Sequence, residues 1–372
     1  MTVKVVVRSG VCHLLFAYDI GIAIDLAKCR ERIAGLGGSE MLSIRNRRAP
    51  EYFGFNPPPL TIVQTASPFP IGTYAVSPQI LLTFYDFGAL SIGYAIEFTG
   101  DLDAMRELSI AVAQSNALRS DSRRRAEDIM RRIGDAVDAP QVAAPVEDYL
   151  IFEVRDFESS CSPGELPELA GTGLAQILRA EHQALSDQET SDSLACKISY
   201  GLNDLALIDW NAAIIFDRDS EDVRAVLEFA NVELLELRFL DYQLDASLDR
   251  SFELTRRPRR INKWLPGRSA RTSEQISRMQ LEGAILFERV SNAPKLLGDQ
   301  FLARVYRLAA QRFHVGEWNA GILRKLETLE DFYQQLHGKA AGRRLELLEW
   351  IIIVLIFLEI LLPLLIRNFV VL

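Results

Sequence analysis

The stretch "ILLTFYDFGALSIGYAIEF", residues 80–98, decides how the N-terminal part of the chain is read. It is dense in β-branched and aromatic residues, and Asp86-Phe87-Gly88 interrupts it with turn-forming types, so it predicts two strands joined by a tight turn. Gly88 supplies the positive φ that such a turn needs; Tyr85, Asp86 and Gly88 therefore mark a turn in preference to a ligand site. On either side lie further β-rich runs: "VCHLLFA" at 11–17, "LTIVQT" at 60–65 and "DYLIFEVRDF" at 148–157. Helical patterns separate them, notably "DLDAMRELSIAVAQSNALRS" from 101, opened by an Asp in N-cap position, and "SRRRAEDIMRRIGDAV" from 122. Pro57, Pro58, Pro59, Pro68 and Pro70 make the stretch between Glu51 and Tyr74 a loop-rich insertion. Residues 1–158 thus predict an α+β domain, a mixed α/β sheet with helices.

"ESSCSPGELPELAG", 158–171, has the Ser, Pro and Gly content of a linker, and the boundary is placed at 159–171. Beyond it, 172–344 reads as long helices. Leu227, Ala230, Leu234, Leu237, Leu244 and Leu248 follow a three-four spacing, and Ile276, Met279, Gly283, Leu286 and Val290 continue it after a basic gap. Two such arms predict a coiled-coil hairpin over about 220–290. A final helical run carries Ile322, Leu326, Leu329, Tyr333 and Leu336.

The tail, "RRLELLEWIIIVLIFLEILLPLLI" at 343–366, predicts where the protein works. From Trp350 to Ile366, fifteen of seventeen residues are large and apolar, with Glu359 and Pro363 the exceptions. Each central Leu, Ile, Phe or Val favours insertion by about 0.3–0.6 kcal/mol against a penalty of about 2.5–3.5 kcal/mol for one mid-helix charge, so the apolar sum wins. The expectation is one C-terminal transmembrane helix over 345–367. Arg343 and Arg344 before it, against Arg367 after it, place the N-terminal bulk in the cytoplasm. Glu359 is a candidate intramembrane assembly residue, because a carboxyl facing a second helix escapes isolated burial. The competing reading is a hydrophobic helix buried in a homo-oligomer.

Net charge −9 excludes wholesale nucleic-acid binding by long-range field while leaving room for a local basic patch. Cys12, Cys29, Cys161 and Cys196 lack paired metal spacing and read as buried or inert thiols; the start shows neither a secretory nor a transit pattern. "GLGGSE" at 35–40 and "GTGLAQ" at 171–176 lack the phosphate-loop lysine and dinucleotide spacing and read as turns. His13, His182, His314 and His337 are scattered with no second His or Cys at i+3 or i+4, which gives a metal site little support, and His182 reads as a surface or interhelical residue. No nucleophile motif stands out, so neither an enzyme nor a cofactor is expected.

One constellation rises above this background. "TRRPRRINKWLPGRSAR" holds Arg256, Arg257, Arg259, Arg260, Lys263, Arg268 and Arg271 with no acidic residue, and Trp264 among them. It is a candidate contact for anionic lipid or for RNA phosphates, with Trp264 available to stack on a base; a solvated hairpin tip paired with a neighbouring subunit is the plain alternative.

"TFYDFGALSIGYAIEF", "ANVELLELRFLDYQLD" and "RRLELLEWIIIVLIFLEIL" together resemble the family named for "required for meiotic nuclear division". The resemblance spans residues 10–366 and implies a bacterial member of a family whose eukaryotic relatives are tied to mitochondrial translation at the inner membrane or to meiotic division. With the residues above it gives these expectations: a tail-anchored, self-associating scaffold of the bacterial inner membrane, single-pass with its N-terminus cytoplasmic. The expected partners are membrane lipids and further copies of the chain. The alternative is a membrane tether for RNA or ribosomes through the loop 256–271.

Overall fold

The computed structural model describes residues 5–35, 42–44, 57–67, 69–256, 298–332 and 334. The chain divides into two compact units, Met1–Tyr242 with Ile285–Gly321, and Gln243–Ala284 with Ile322–Leu372.

The first unit is built on a mixed sheet. Its strands are β1 (Val6–Asp19), β2 (Ala23–Ile24), β3 (Leu42–Ile44), β4 (Leu60–Thr65), β5 (Pro70–Ile71), β6 (Tyr74–Ala75), β7 (Gln79–Phe84), β8 (Ala89–Asp101), β9 (Val137–Asp138), β10 (Glu147–Glu158), β11 (Lys197–Ile198), β12 (Leu205–Ile208) and β13 (Ala212–Phe216). Nine of them form one sheet in the order β11-β12-β13-β10-β1-β8-β7-β4-β3, while β2 with β9 and β5 with β6 make two small ribbons. The helices are α1 (Leu26–Gly35), α2 (Leu102–Ala113), α3 (Asn116–Ile133), α4 (Leu166–Leu169), α5 (Gly171–Arg179), α6 (Asp187–Ser193), α7 (Glu221–Arg256) and α8 (Gln300–Arg312). The β7–β8 hairpin turns where the 80–98 stretch predicts, with Phe84 opposite Leu90. Asp101 caps α2 by accepting from the Ala104 N–H at 3.0 Å, and Ser115 separates α2 from α3 by capping the latter.

β10 and β13 pair in parallel, whereas the other pairs of the large sheet are antiparallel. A parallel pair needs a crossover. Here the crossover carries α4, α5, α6, β11 and β12.

Register separates the two faces of the sheet. Cys12, Leu14, Phe16 and Tyr18 stand opposite Ile96, Tyr94, Ile92 and Leu90 on β8, and Cys12 and Leu14 stand opposite Phe152 and Leu150 on β10. These residues form one apolar core with Met105 and Leu108 of α2, Leu118 and Ile129 of α3, and Leu174 and Ile177 of α5. Truncating Phe152, fully buried on this face, to alanine should cost about 3–5 kcal/mol.

The alternate positions make a different face. They include His13, Ala17 and Asp19 of β1, Glu147, Tyr149 and Glu153 of β10, Ser91, Gly93 and Ala95 of β8, Thr83 of β7 and Thr61 of β4. His13, Asp19, Glu147, Glu153, Ser91, Thr83 and Thr61 are all buried. The first half of α7 covers part of this face: Asn231 Nδ2 donates to the Glu147 carbonyl at 3.5 Å, and Arg238 pairs with the Glu147 carboxylate at 2.5 Å. Phe313, just after α8, packs edge-on against Tyr149 at 5.1 Å.

A mixed α/β fold with a large sheet is what the structure shows, but the sheet extends past residue 158. Residues 159–171, expected as a linker, form a 3-10 turn and α4, with Leu166 fully buried. "GTGLAQ", expected as a turn, begins α5, whose Leu174, Ala175 and Ile177 enter the core. The stretch expected to be wholly helical contains β11, β12 and β13. Runs as short as "LALI" and "AAIIF" are apolar throughout, so they carry no alternation to mark them as strands.

The coiled-coil expectation is also revised for the start of α7. Between Val223 and Leu237 burial embraces Arg224, Glu228, Asn231, Glu233 and Glu236, while Leu234 of the expected seam is only half-buried. This part of the 36-residue helix is packed on several sides within the first unit. The expected second arm over 276–290 lies outside the described residues.

In the second unit α7 runs on past Gln243, and a helix occupies 315–332 from its final turns of the first unit. Phe252 meets Phe332 edge-on at 4.8 Å and Lys325 pairs with Asp245 at 2.6 Å. No helix among the described residues is long and apolar enough to cross a membrane. The tail segment 345–367 lies outside them.

Candidate functional site

The polar layer between the second sheet face and α7 concentrates the buried charge of the first unit. An apolar sheet face would ordinarily cover itself with an apolar helix stripe. Here both partners bring ionisable groups, so each must find compensation inside the protein.

The centre of the layer is a pair from adjacent strands. His13 Nε2 lies 2.8 Å from Glu153 Oε2, both buried, and Arg155 reaches the same carboxylate at 3.0 Å. Burial outweighs the carboxylate's pull on His13 and lowers its pKa, aided by repulsion from Arg224 and Arg155. Burial alone would raise Glu153, but the hydrogen bonds from His13 and Arg155 outweigh it and hold the carboxyl far below its ordinary range. Both shifts describe one state: a neutral imidazole donating Nε2–H to an ionised glutamate. Such a pair can orient an imidazole and store a buried negative charge. Its immediate effect is to fix β1 against β10.

A second group lies where β1 ends. Asp19 and Glu236 of α7 are both buried, and burial raises both carboxyls, Asp19 to about 8. Three residues back on α7, Glu233 accepts from the Tyr306 hydroxyl of α8 at 2.5 Å. Desolvation lifts Glu233 to about 7 against that hydrogen bond, and burial, helped by the charge of Glu233 and the same bond, lifts Tyr306 far above its usual range. Phe229 stands between Tyr85 and Tyr306, with each ring centroid 6.3 Å away.

A third group joins the crossover to α8. Asp209, fully buried, lies 2.7 Å from Arg179 Nε and 2.6 Å from Arg312, and Arg312 also reaches Asp192 at 2.6 Å. Burial raises the Asp209 carboxyl despite the Trp210 N–H and both guanidiniums, while Arg312 is raised by its two carboxylate partners. The Tyr149 hydroxyl donates to the Asp209 carbonyl at 2.9 Å, and Arg179 lies over the Trp210 ring at 5.5 Å. This lattice fastens α5, α6 and α8 to the β12–β13 turn.

The residues singled out in the sequence fall elsewhere. Arg256 is the last residue of α7, whereas Arg257, Arg259, Arg260, Lys263, Trp264, Arg268 and Arg271 lie outside the described residues, as does Glu359. Tyr85, Asp86 and Gly88 form the turn, with Gly88 at φ +104°. His182 lies 3.5 Å from Glu107 and is largely exposed. Cys12, Cys29 and Cys196 are buried free thiols, all raised in pKa by burial, Cys29 to about 12. Among the described residues no group of three or more His, Cys, Asp or Glu side chains is arranged to hold a metal ion.

Sequence reading missed the polar layer because its partners are remote: His13 and Glu153 are 140 residues apart, Glu233 and Tyr306 73. The one available signal was "ANVELLELRFLDYQLD", where glutamates recur at positions that a helix buried on several sides cannot expose.

This fold places the chain in a class with a mixed sheet and a long helix over its polar face. Residues 9–222 match the family described as "Uncharacterized protein MJ0711, N-terminal domain". That match exceeds half of the 372 residues, and the chain belongs to this family. It runs from within β1 to the start of α7. The uncharacterized protein MJ0711 of the archaeon Methanocaldococcus jannaschii is 26% identical over 193 residues, which cover 51% of this chain and 58% of that relative. The chain thus spans little more than half of the relative's length. No solved structure matches. These matches overturn the resemblance to the meiotic nuclear division family: the family is that of MJ0711, and the relative is archaeal, neither mitochondrial nor fungal.

Proposed function

We propose that the chain is a membrane scaffold: a non-catalytic, self-associating protein anchored by a single helix over 345–367, with the sheet unit on the cytoplasmic side as its interaction module. The observation that carries this reading is the tail, fifteen large apolar residues in the seventeen from Trp350 to Ile366. Their summed insertion energy exceeds the Glu359 penalty, and pairing of tails gives that carboxyl a hydrogen-bonding partner. The sheet unit fits the role of a rigid module, because the ion pairs at Asp209 and Glu153 tie distant segments together. The test is fractionation of the full chain through an alkaline carbonate wash. Retention in the membrane pellet supports the reading, and recovery in the supernatant refutes it.

A second reading keeps the anchor and adds a ligand. The seven basic residues of 256–271 with Trp264 favour a tether for RNA or for anionic lipid. With the mitochondrial resemblance set aside, this reading rests on those residues alone. Comparative binding to single-stranded RNA and to phosphatidylserine vesicles separates its two forms.

A further inference from the structure

We propose that the loop 199–204, between β11 and β12, is a membrane-contacting tip that seats Tyr200 and Leu202 in the headgroup region of an anionic lipid surface. Tyr200 is 79% exposed and Leu202 87%, the two most exposed large apolar side chains among the described residues. A single exposed leucine is ordinary, whereas two such side chains on one short loop are not, since loop tips elsewhere carry small or polar residues. The tip is also held in shape. The Asp204 carboxylate accepts from the Tyr200 N–H at 2.6 Å and from the Gly201 N–H at 2.5 Å, and the Tyr200 ring meets Phe301 of α8 edge-on at 5.3 Å. Little order is therefore lost when the tip meets a partner.

The chemistry around the tip selects that partner. Lys197, Arg304 and Arg307 are exposed, and Arg304 lies over the Phe301 ring at 5.7 Å, which puts a cation beside the aromatic pair. The acids of the same segments are engaged: Asp204 holds the loop, and Asp299 caps α8 by accepting from the Leu302 N–H at 2.9 Å. Exposed cations thus flank the tip in a chain whose net charge is −9. Tyrosine favours the bilayer interface because its ring is apolar and its hydroxyl wet, and basic residues are drawn to anionic headgroups. Side chains standing out from a tip suit a medium that yields around them. The contact belongs to the sheet unit and does not depend on whether the tail at 345–367 spans.

The test uses the full chain with Cys161→Ser, which leaves only the buried thiols of Cys12, Cys29 and Cys196, and with Asn203→Cys carrying an environment-sensitive fluorophore. In vesicles of phosphatidylserine and phosphatidylcholine its emission should shift to the blue and be quenched by spin-labelled lipid. The same label on Arg124→Cys, exposed on α3, should report water. Adding Tyr200→Ser with Leu202→Ser should abolish the lipid quenching, and Lys197→Gln or Arg304→Gln should each lower the ratio of lipid-contacting to free tip about fivefold. A label at 203 that reports water, in a chain that stays in the carbonate pellet, overturns the tip and leaves the anchor intact. Shielding from aqueous iodide without quenching by lipid also overturns it, because another copy of the chain then covers the loop. Lipid quenching in a chain that the carbonate wash releases refutes the anchor alone and upholds the tip.

Discussion

Gly88 lies against Gly21 so closely that a Cβ at Gly88 would overlap the Gly21 carbonyl oxygen. Gly88 also stands at φ +104°, a conformation that side chains other than glycine adopt at a cost. The contact joins the β7–β8 turn to the segment leaving β1, and the Ile20 N–H donates to the Gly88 carbonyl at 2.9 Å. Gly88→Ala should therefore destabilise the first unit by about 3 kcal/mol or more, strain and overlap together. Urea unfolding of the variant beside Gly72→Ala checks this. Gly72 also has positive φ, at +58°, but a Cβ there meets nothing within 4 Å, so its cost should be much smaller.

The His13–Glu153 pair sets the acid limit of stability. His13 has a folded pKa below its unfolded 6.5, so the unfolded chain binds the proton first and stability falls as pH drops below that value. Glu153 is also depressed, from 4.5; its contribution is full above 4.5 and is lost as pH falls through its folded value. The two effects run in the same direction. Glu153→Gln should cost about 2 kcal/mol at pH 7 by losing charged hydrogen bonds. It should also flatten the decline below pH 4.5, measured as urea midpoints from pH 7 to pH 3.

Glu233 has the opposite sign. Its pKa rises from 4.5 unfolded to about 7 folded, so the native state binds the extra proton between those values. Stability should fall as pH rises from 4.5 to about 7 and then level off, a penalty of about 3 kcal/mol when fully developed. Glu233→Gln keeps an acceptor for Tyr306 without the charge. That variant should be more stable than the parent at pH 8 and similar to it at pH 4.5; equal stability at both pH values would show that Glu233 carries no buried penalty.

These groups explain how far the sequence could be read. The β7–β8 hairpin, β4 and β10 were legible because a turn triplet or a run of β-branched residues marks each locally. β12 and β13 were not, since four and five apolar residues suit a strand or a buried helix turn equally. α7 was legible as a helix, but its burial was misread: Leu227 and Leu237 follow the expected seam, whereas Glu233, which accepts from the distant Tyr306, and Glu236 are buried as well. The polar layer is a property of register and crossover, which no local pattern encodes.

Anchoring by the tail should be separable from folding of the sheet unit. A chain ending at Arg344 should leave the membrane pellet, while the full chain stays through the carbonate wash. Under the scaffold proposal, Glu359→Leu should insert at least as well as the parent but lose cross-linked oligomers, because the carboxyl proposed to pair between spans would be gone. Unchanged oligomers in that variant would remove Glu359 from the assembly and leave the anchor as a simple one.

The basic stretch distinguishes scaffold from tether through its response to salt. Each phosphate neutralised by Arg or Lys releases a condensed counterion, so RNA affinity must fall steeply as salt rises. Replacing Arg256, Arg257, Arg259 and Arg260 by Ser should abolish RNA retention and flatten the salt slope. Trp264→Ala should weaken binding at unchanged slope, because stacking releases few ions. Phosphatidylserine vesicles should show the same arginine dependence with no requirement for Trp264. Binding to RNA with both signatures establishes the tether, and binding to vesicles alone makes the stretch a second membrane contact beside the tail. Retention of neither, at salt as low as about 50 mM, assigns 256–271 to protein contacts, where its arginines would meet the acidic surface of a partner or of a second copy of a chain whose net charge is −9.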